Sequence, residues 1–109
     1  MILIKEIQEE IHKNAAEKGF WNCFDRTTDI RHITVIKLSL IMTEIAEAIE
    51  ELRKDTSHKQ LLKYLGKELA DIAIRDMDLA EWLNINLEVE IQAKHEINKT
   101  RPYRHKKLF

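Results

Sequence analysis

The sequence predicts an all-α protein, a single domain of four helices packed as an antiparallel bundle. The chain has 109 residues, which is enough for one hydrophobic core and too few for two. It contains only two glycines and one proline, so signals for turns and long loops are scarce. Apolar residues recur at helical spacing in four segments, and the short connections between the later segments favour antiparallel neighbours.

The first predicted helix covers about residues 2–18 and ends at Gly19. Its apolar positions follow helical spacing, at Ile4, Ile7, Ile11 and Ala15. The connector that follows, residues 20–29, carries the aromatic side chains Phe20, Trp21 and Phe24. Such a cluster is more often part of a core than a platform for a ligand, and both interpretations stay open here.

The second predicted helix covers about residues 30–54, and the third begins after Ser57 and runs to about Leu83. Asp29 or Thr28 is expected to cap the second helix and Ser57 the third, while Asn84 ends the third. Gly66 inside the third helix indicates a close helix contact or a kink. The predicted core positions are Leu38, Ile41, Ile45, Ala48, Ile49 and Leu52 on the second helix, and Leu61, Leu65, Leu69, Ile72, Leu79 and Leu83 on the third.

A fourth helix is predicted over about residues 87–99, and Pro102 ends the regular structure. It leads into a basic segment, KHEINKTRPYRHKK. Lys94, Asn98 and Arg101 fall at positions i, i+4 and i+7, so they share a face if the helix extends that far. Such a face could hold phosphate oxygens. Cations near a helix C-terminus are also stabilising without any ligand, and that simpler interpretation stays open.

Acidic residues border the predicted core positions of the two central helices. The second helix carries Glu44, Glu47 and Glu51, and the third carries Glu68, Asp71 and Asp78 with Arg75 among them. Two of these sets are acidic pairs at i, i+3 spacing, Glu44-x-x-Glu47 and Glu68-x-x-Asp71. If the helices are antiparallel neighbours, both pairs can converge on one cleft.

Four converging carboxylates repel one another, so the cleft requires protonation, a basic side chain or a divalent cation. Ligand sets made only of carboxylate oxygens suit Mg²⁺, with Mn²⁺ as an alternative. A solvated acidic surface is the simpler interpretation of either pair alone. A di-iron site would need two Glu-x-x-His motifs, and only Glu9-x-x-His12 fits that pattern.

The composition argues against several classes of function. The formal net charge is −1, whereas a dedicated nucleic-acid binder would usually be strongly basic. Cys23 is the only cysteine, which fits a reducing compartment. The N-terminal residues turn charged after four positions, unlike a signal peptide or a membrane span. We expect a cytoplasmic protein that binds neither a membrane nor a nucleic-acid polymer.

Four stretches of the chain resemble the all-α nucleoside triphosphate pyrophosphohydrolases, in particular the short single-domain MazG-like proteins of bacteria and phages. These stretches are KGFW (18–21), TEIAEAIEELRK (43–54), ELADIAIRDMDLAEWLNINLE (68–88) and NKTRPYRHKK (98–107). Together they cover most of the chain. One departure is Lys106, which stands where the family pattern leads us to expect a glycine.

The resemblance implies a MazG-like four-helix bundle that hydrolyses a nucleoside triphosphate to the monophosphate and pyrophosphate. It also implies a role in clearing surplus or non-standard nucleotides from the nucleotide pool. It implies that Mg²⁺ is bound by Glu44, Glu47, Glu68 and Asp71, with Glu47 as the catalytic base. It also implies a substrate site that uses Lys94, Asn98, Arg101 and Tyr103 for phosphate, and Phe20, Trp21 or residues of a second subunit for the base.

The resemblance also implies a homodimer or homotetramer. Ala70, Ile74 and Met77 add a second apolar strip to the third helix, which independently predicts burial against another subunit. Two alternatives remain: a phosphoribosyl-ATP pyrophosphohydrolase, and a helical interaction module without catalytic activity.

Overall fold

The protein folds into four α-helices. The computed structural model describes residues 3–25 and 27–108, which contain no β-strand. The helices are α1 (Ile4–Glu17), α2 (Ile30–Glu51), α3 (His58–Trp82) and α4 (Leu87–Thr100), and a short 3-10 helix (Tyr103–Lys106) follows α4. The predicted all-α class is confirmed for these residues, whereas the predicted helix start at Ile2 lies outside them.

Side-chain caps determine where the later helices begin. The Asp29 carboxylate accepts a hydrogen bond from the Arg31 N–H at 2.9 Å. The Ser57 hydroxyl accepts one from the Gln60 N–H at 3.2 Å, and Asn86 caps α4 in a similar way. These bonds satisfy backbone donors that have no partner within the first turn of a helix. The predicted caps at Asp29 and Ser57 are therefore confirmed.

Left-handed residues determine where α1 and α3 end. Gly19 has a φ of 89° and Asn84 has a φ of 58°. In both cases the N–H of the following residue bonds to the carbonyl five positions earlier, as expected for a Schellman ending. Gly and Asn adopt this conformation most readily, so both predicted helix ends are confirmed.

Helix α3 is the centre of the packing, because both α1 and α2 lie against it, while α4 lies against α1. The α1–α3 pair is antiparallel: Gln8 donates to Glu81 at 3.0 Å, and His12 pairs with Asp78 at 2.7 Å. The buried apolar cluster is small and consists of Ala15, Trp21, Ile33 and Leu79, with Phe24, Trp82 and Leu83 packed against it. The rings of the two tryptophans stack at 4.3 Å between centroids.

The predicted rotation of α2 about its axis is wrong. Leu38, Ile45, Ile49 and Leu52 were expected in the core, but they are 42–58% exposed. The face turned toward α3 instead carries Ile33, which is 1% exposed, and the half-buried residues Lys37, Leu40, Glu44, Ala48 and Glu51. On this face Glu44 forms an ion pair with Arg75 of α3, and the apolar arc of the helix faces outward.

The predicted core positions of α3 are also partly wrong. Leu69 is 64% exposed, and Asp76, seven residues further along the same side of the helix, is also exposed. Glu68, expected at the border of the core, is buried instead at 8% exposure. Gly66 is exposed, and a Cβ added there would meet no atom within 4 Å, so no close helix contact explains this glycine within the described chain.

Within residues 3–25 and 27–108, none of the helices combines the length and apolar character that crossing a membrane requires.

The two glycines provide a matched test of these backbone assignments. Gly19→Ala should lower the free energy of unfolding by about 1–2 kcal/mol, because alanine is strained at a positive φ and its Cβ would lie 3.2 Å from Asn22. Gly66→Ala should raise that free energy by about 1 kcal/mol through helix propensity. Urea denaturation measures both changes, and a loss of stability in Gly66→Ala would contradict the open surroundings of that position.

Candidate metal and phosphate site

Three carboxylates meet where α2 packs against α3. Glu44 from α2 and Glu68 and Asp71 from α3 each offer an oxygen, and these oxygens all lie within 4.8 Å of one another. We call these residues the acid triad. The i, i+3 spacing places Glu68 and Asp71 on adjacent turns of α3, and the antiparallel contact brings Glu44 across from them.

The triad oxygens are spaced to suit one small divalent cation. Two oxygens on opposite sides of a Mg²⁺ ion lie about 4.2 Å apart when each Mg–O distance is about 2.1 Å. Adjacent ligand oxygens lie about 3 Å apart, so the triad oxygens, which lie within 4.8 Å of one another, would draw closer together around such an ion. Oxygen-only ligands of this type fit Mg²⁺ or Mn²⁺ better than a softer metal.

Glu68 gives independent support for a bound cation. Its side chain is buried, and its Oε2 atom has no hydrogen-bond partner among the described residues. Burial raises the pKa of Glu68 above its ordinary value of 4.5, and a hydrogen bond with Glu44 and the charges of Glu44, Asp71 and Glu47 raise it further. A buried, unpaired carboxylate oxygen is costly, and a cation would satisfy it.

Arg75 is joined directly to the acid triad. Its Nε donates to Glu44 Oε1 at 3.0 Å, where the side chains are 40% and 14% exposed respectively. This ion pair offsets part of the repulsion among the triad carboxylates. It also fixes the plane of the guanidinium group beside the α2–α3 contact.

Glu47 and Glu51 lie on α2 beyond the triad. Glu47 is exposed and is not one of the three close carboxylates, but its charge acts on Glu68 and Tyr64. Burial raises the pKa of Tyr64, and the charges of Glu68, Glu51 and Glu47 raise it further. Glu51 forms an ion pair with Lys54 at 2.8 Å. The structure thus joins three of the four predicted metal ligands and places Glu47 at their edge.

Asp78 has partners that the sequence did not reveal. Its carboxylate pairs with His12 Nδ1 at 2.7 Å and accepts from Trp21 Nε1 at 2.9 and 3.1 Å. Among the described residues, Arg75 pairs with Glu44 and not with Asp78. His12 approaches from a helix 66 positions away in sequence, so no local spacing could predict the contact.

Trp21 lies in the core at 5% exposure, which agrees with the structural interpretation of the aromatic cluster. Lys37 lies over its ring, with Nζ 4.1 Å from the centroid. The same Nζ donates to the Phe20 carbonyl at 3.1 Å. Burial lowers the pKa of Lys37, while the charge of Asp78 opposes that shift. The ammonium group of Lys37 therefore interacts with residues of the connector. A role of Trp21 in substrate binding stays a prediction.

A cavity of about 540 Å³ opens beside the triad. Its described lining combines acidic and basic residues of α2 and α3 with residues of α1 and the connector: Glu44, Asp71, Ile74, Arg75, Asp78, Ile7, Glu10, Ile11, Asn14, Ala15 and Phe20. Phe20 is 66% exposed and supplies an aromatic surface there. The volume falls in the range of small-molecule pockets.

The predicted phosphate residues of α4 lie elsewhere. Lys94 and Asn98 line a shallow groove on α4 itself. Arg101 is the C-cap of α4, just beyond its last helical residue, and Tyr103 is 84% exposed in the 3-10 helix. Among the described residues, no hydrogen bond or ion pair joins these four side chains to the triad. Their role in binding phosphate stays a prediction.

Comparison of the chain with protein-family models, curated proteins and solved structures found no match.

Glu68→Gln tests the electrostatic character of the triad. The pKa of Glu68 is raised in the folded protein, so above pH 4.5 the folded state retains a proton that the unfolded state loses. The free energy of unfolding therefore falls as pH rises through this interval, and Gln removes that dependence. In a buffer that contains a metal chelator, the variant should melt at a higher temperature than the wild type, and the difference in melting temperature should widen as the pH rises above 4.5.

Added Mg²⁺ or Mn²⁺ should raise the melting temperature of the wild type much more than that of Glu68→Gln, because binding to the folded state stabilises it. Glu50→Gln, on the exposed side of α2, provides the control. A wild type that melts at the same temperature with and without millimolar metal would contradict the metal assignment.

Proposed function

We propose that this protein is a metal-dependent hydrolase that converts a nucleoside triphosphate to the monophosphate and pyrophosphate. The observation that carries the proposal is the acid triad, with a buried Glu68 oxygen that no described residue satisfies. Two of its members, Glu44 and Asp71, line a cavity of suitable size, which supports the same reaction class. The resemblance of the sequence to MazG-like pyrophosphohydrolases supplies the bond that is cleaved.

The acid triad would hold Mg²⁺, with Glu47 at its edge as a further ligand. The cation would polarise the phosphoryl oxygens and neutralise charge that develops as the anhydride breaks. Glu44, Glu68 and Asp71 would position the ion. The contact between α2 and α3 holds these three side chains close together. Binding the ion would give the buried Glu68 oxygen the partner that it lacks.

Glu47 is proposed as the general base. It is exposed, and it follows Glu44 by three residues, so its carboxylate can reach water beside the triad. In the reaction, the water oxygen forms a bond to phosphorus as the α–β anhydride bond breaks. Glu47 takes the proton from the water, and pyrophosphate leaves with the electron pair of the broken bond.

The cavity is proposed to hold the nucleoside. Its apolar walls, Ile7, Ile11 and Ile74, suit a flat base, and the exposed ring of Phe20 offers a stacking surface. Glu44 and Asp71 of the triad line the same cavity. The phosphates of a nucleotide bound there would therefore reach the metal ligands. This arrangement suits a small nucleotide rather than a nucleic-acid polymer.

Product analysis tests the reaction directly. The protein is incubated with a panel of canonical and modified nucleoside triphosphates and phosphoribosyl-ATP, with and without Mg²⁺. We expect monophosphate and pyrophosphate only with the metal. Glu47→Gln should lower kcat by about 100-fold or more, since removal of a general base has that effect, while Glu50→Gln should retain full activity.

Absence of hydrolysis across the panel, together with absence of metal binding, would overturn the proposed function and favour the interaction module. Cleavage of phosphoribosyl-ATP far above every other substrate would replace the general triphosphatase with the phosphoribosyl-ATP enzyme. Full activity in Glu47→Gln would assign the proton transfer to another group.

We further propose that the enzyme assembles as a homodimer or a homotetramer. An apolar stripe follows the outer face of α2, formed by Val35, Leu38, Met42, Ile45, Ile49 and Leu52, all 42–68% exposed. Its three-and-four spacing is that of a helix seam that packs against another helix. A stripe of this length is unusual on a monomer, and a second copy of this chain would cover it.

Met42→Glu tests the assembly, because it places a charge at the centre of the outer stripe. Sedimentation velocity should show a dimer or tetramer for the wild type and a smaller species for the variant. His32→Glu, on an exposed side of α2 away from the stripe, should leave the assembly intact. A wild type that sediments as a monomer at micromolar concentration would contradict the proposal.

A further inference from the structure

We propose that Arg75 binds a phosphate oxygen of the substrate while it holds Glu44 in position to ligate the metal. The inference rests on the proposed function and deepens it. The sequence placed the phosphate-binding cations on α4, whereas the structure places a different cation, Arg75, at the triad. Arg75 is the one basic residue among the described residues that line the cavity.

The ion pair of Arg75 engages only one of the three nitrogens of its guanidinium group. Nε donates to Glu44 Oε1 at 3.0 Å. Neither terminal nitrogen donates a hydrogen bond to any described residue, and the side chain is 40% exposed at the cavity. A planar guanidinium held through Nε presents its remaining donors in a fixed direction, which suits the oxygens of a phosphate group.

The charge balance of the cavity requires such a cation. Its described lining includes the carboxylates Glu10, Glu44, Asp71 and Asp78, which would repel a polyphosphate. A divalent ion alone leaves part of the negative charge of a triphosphate uncompensated. Arg75 would supply a further positive charge at the place where the metal ligands and the phosphates meet.

Lys37 is the nearest competitor for this role, and its contacts argue against it. Its ammonium group donates to the Phe20 carbonyl and lies over the Trp21 ring, so it holds the connector against the core. It is also absent from the described lining of the cavity. Arg75 is therefore better placed to meet a substrate.

The contact between Arg75 and Glu44 gives the arginine its second role. A carboxylate that ligates a metal through one oxygen is commonly oriented by a hydrogen bond to the other. Arg75 would thus connect the metal and the phosphate through one rigid group. A purely structural ion pair would also fix Glu44, but it would make no contact with the substrate, and this difference can be measured.

The test is a binding measurement in which no turnover occurs. Calorimetry determines the affinity of the wild type for Mg²⁺ alone, and then for a triphosphate analogue with an α,β-methylene bridge at saturating Mg²⁺. Arg75→Gln should weaken analogue binding by about tenfold or more, as expected for the loss of charge-assisted hydrogen bonds. In Arg75→Gln, the affinity for Mg²⁺ alone should change by less than about threefold, because two effects oppose each other. The variant no longer holds Glu44 in position, but it also no longer places a positive charge that repels the metal ion.

Two further variants make the result specific. Arg75→Lys keeps the charge but loses the planar fork, so its analogue affinity should fall between those of the wild type and Arg75→Gln. Arg53→Gln removes a surface arginine that pairs with Glu50 and lies 75% exposed, and it should bind as the wild type does. Circular dichroism establishes that each variant retains its helices.

Unchanged analogue affinity in Arg75→Gln would overturn the inference, while wild-type hydrolysis would leave the proposed function standing. A loss of Mg²⁺ affinity as large as the loss of analogue affinity would also overturn it, because Arg75 would then act only through Glu44. Failure of the wild type to bind metal or analogue would instead overturn the proposed function itself.

Discussion

The antiparallel contact between α2 and α3 is the feature on which the candidate site depends. It brings Glu44 against Glu68 and Arg75, although like charges oppose such a contact where water is partly excluded. Arg75 offsets part of the repulsion, and Glu68 still retains an oxygen without a partner. A neutral or apolar pair would pack here at lower cost. An unfavourable local arrangement of this kind is common where a protein binds a ligand.

The helix ends could be predicted from the sequence because they depend on local chemistry. Asp29 and Ser57 cap helices with their own side chains, and Gly19 and Asn84 adopt conformations that few other residues tolerate. Each feature involves residues within about one turn of each other. The helix boundaries therefore agree with the structure to within a few residues.

The rotation of the helices could not be predicted in this way. Periodicity locates the apolar arc of α2, but it does not say what covers that arc. The periodicity predicts that Leu38 and Ile49 lie in the core of this chain, whereas both are exposed and Ile33 is buried. The error arose because α2 has two faces suited for contact, one apolar and one bearing Lys37 and Glu44, and the structure places the second against α3.

The candidate site was predictable where spacing along one helix was sufficient. Glu68 and Asp71 follow from i, i+3 spacing, and Glu44 follows once the two helices are antiparallel. The partners of Asp78 were not predictable, because they come from α1 and the connector. Only the fold reveals such contacts, and it also identifies Arg75, not an α4 residue, as the cation at the triad.

The two faces of α2 connect the acid triad with the outer stripe. Successive residues on a helix are about 100° apart. A rotation of α2 that turned Leu38 and Ile49 toward α3 would therefore carry Glu44 away from Glu68. In the described structure, the contact that keeps the triad together leaves the stripe exposed. If the triad is the functional arrangement, the stripe needs a cover from outside the chain. A second copy, which carries the same stripe, meets this requirement with matching shape and chemistry, so the metal site and the assembly are expected to depend on each other.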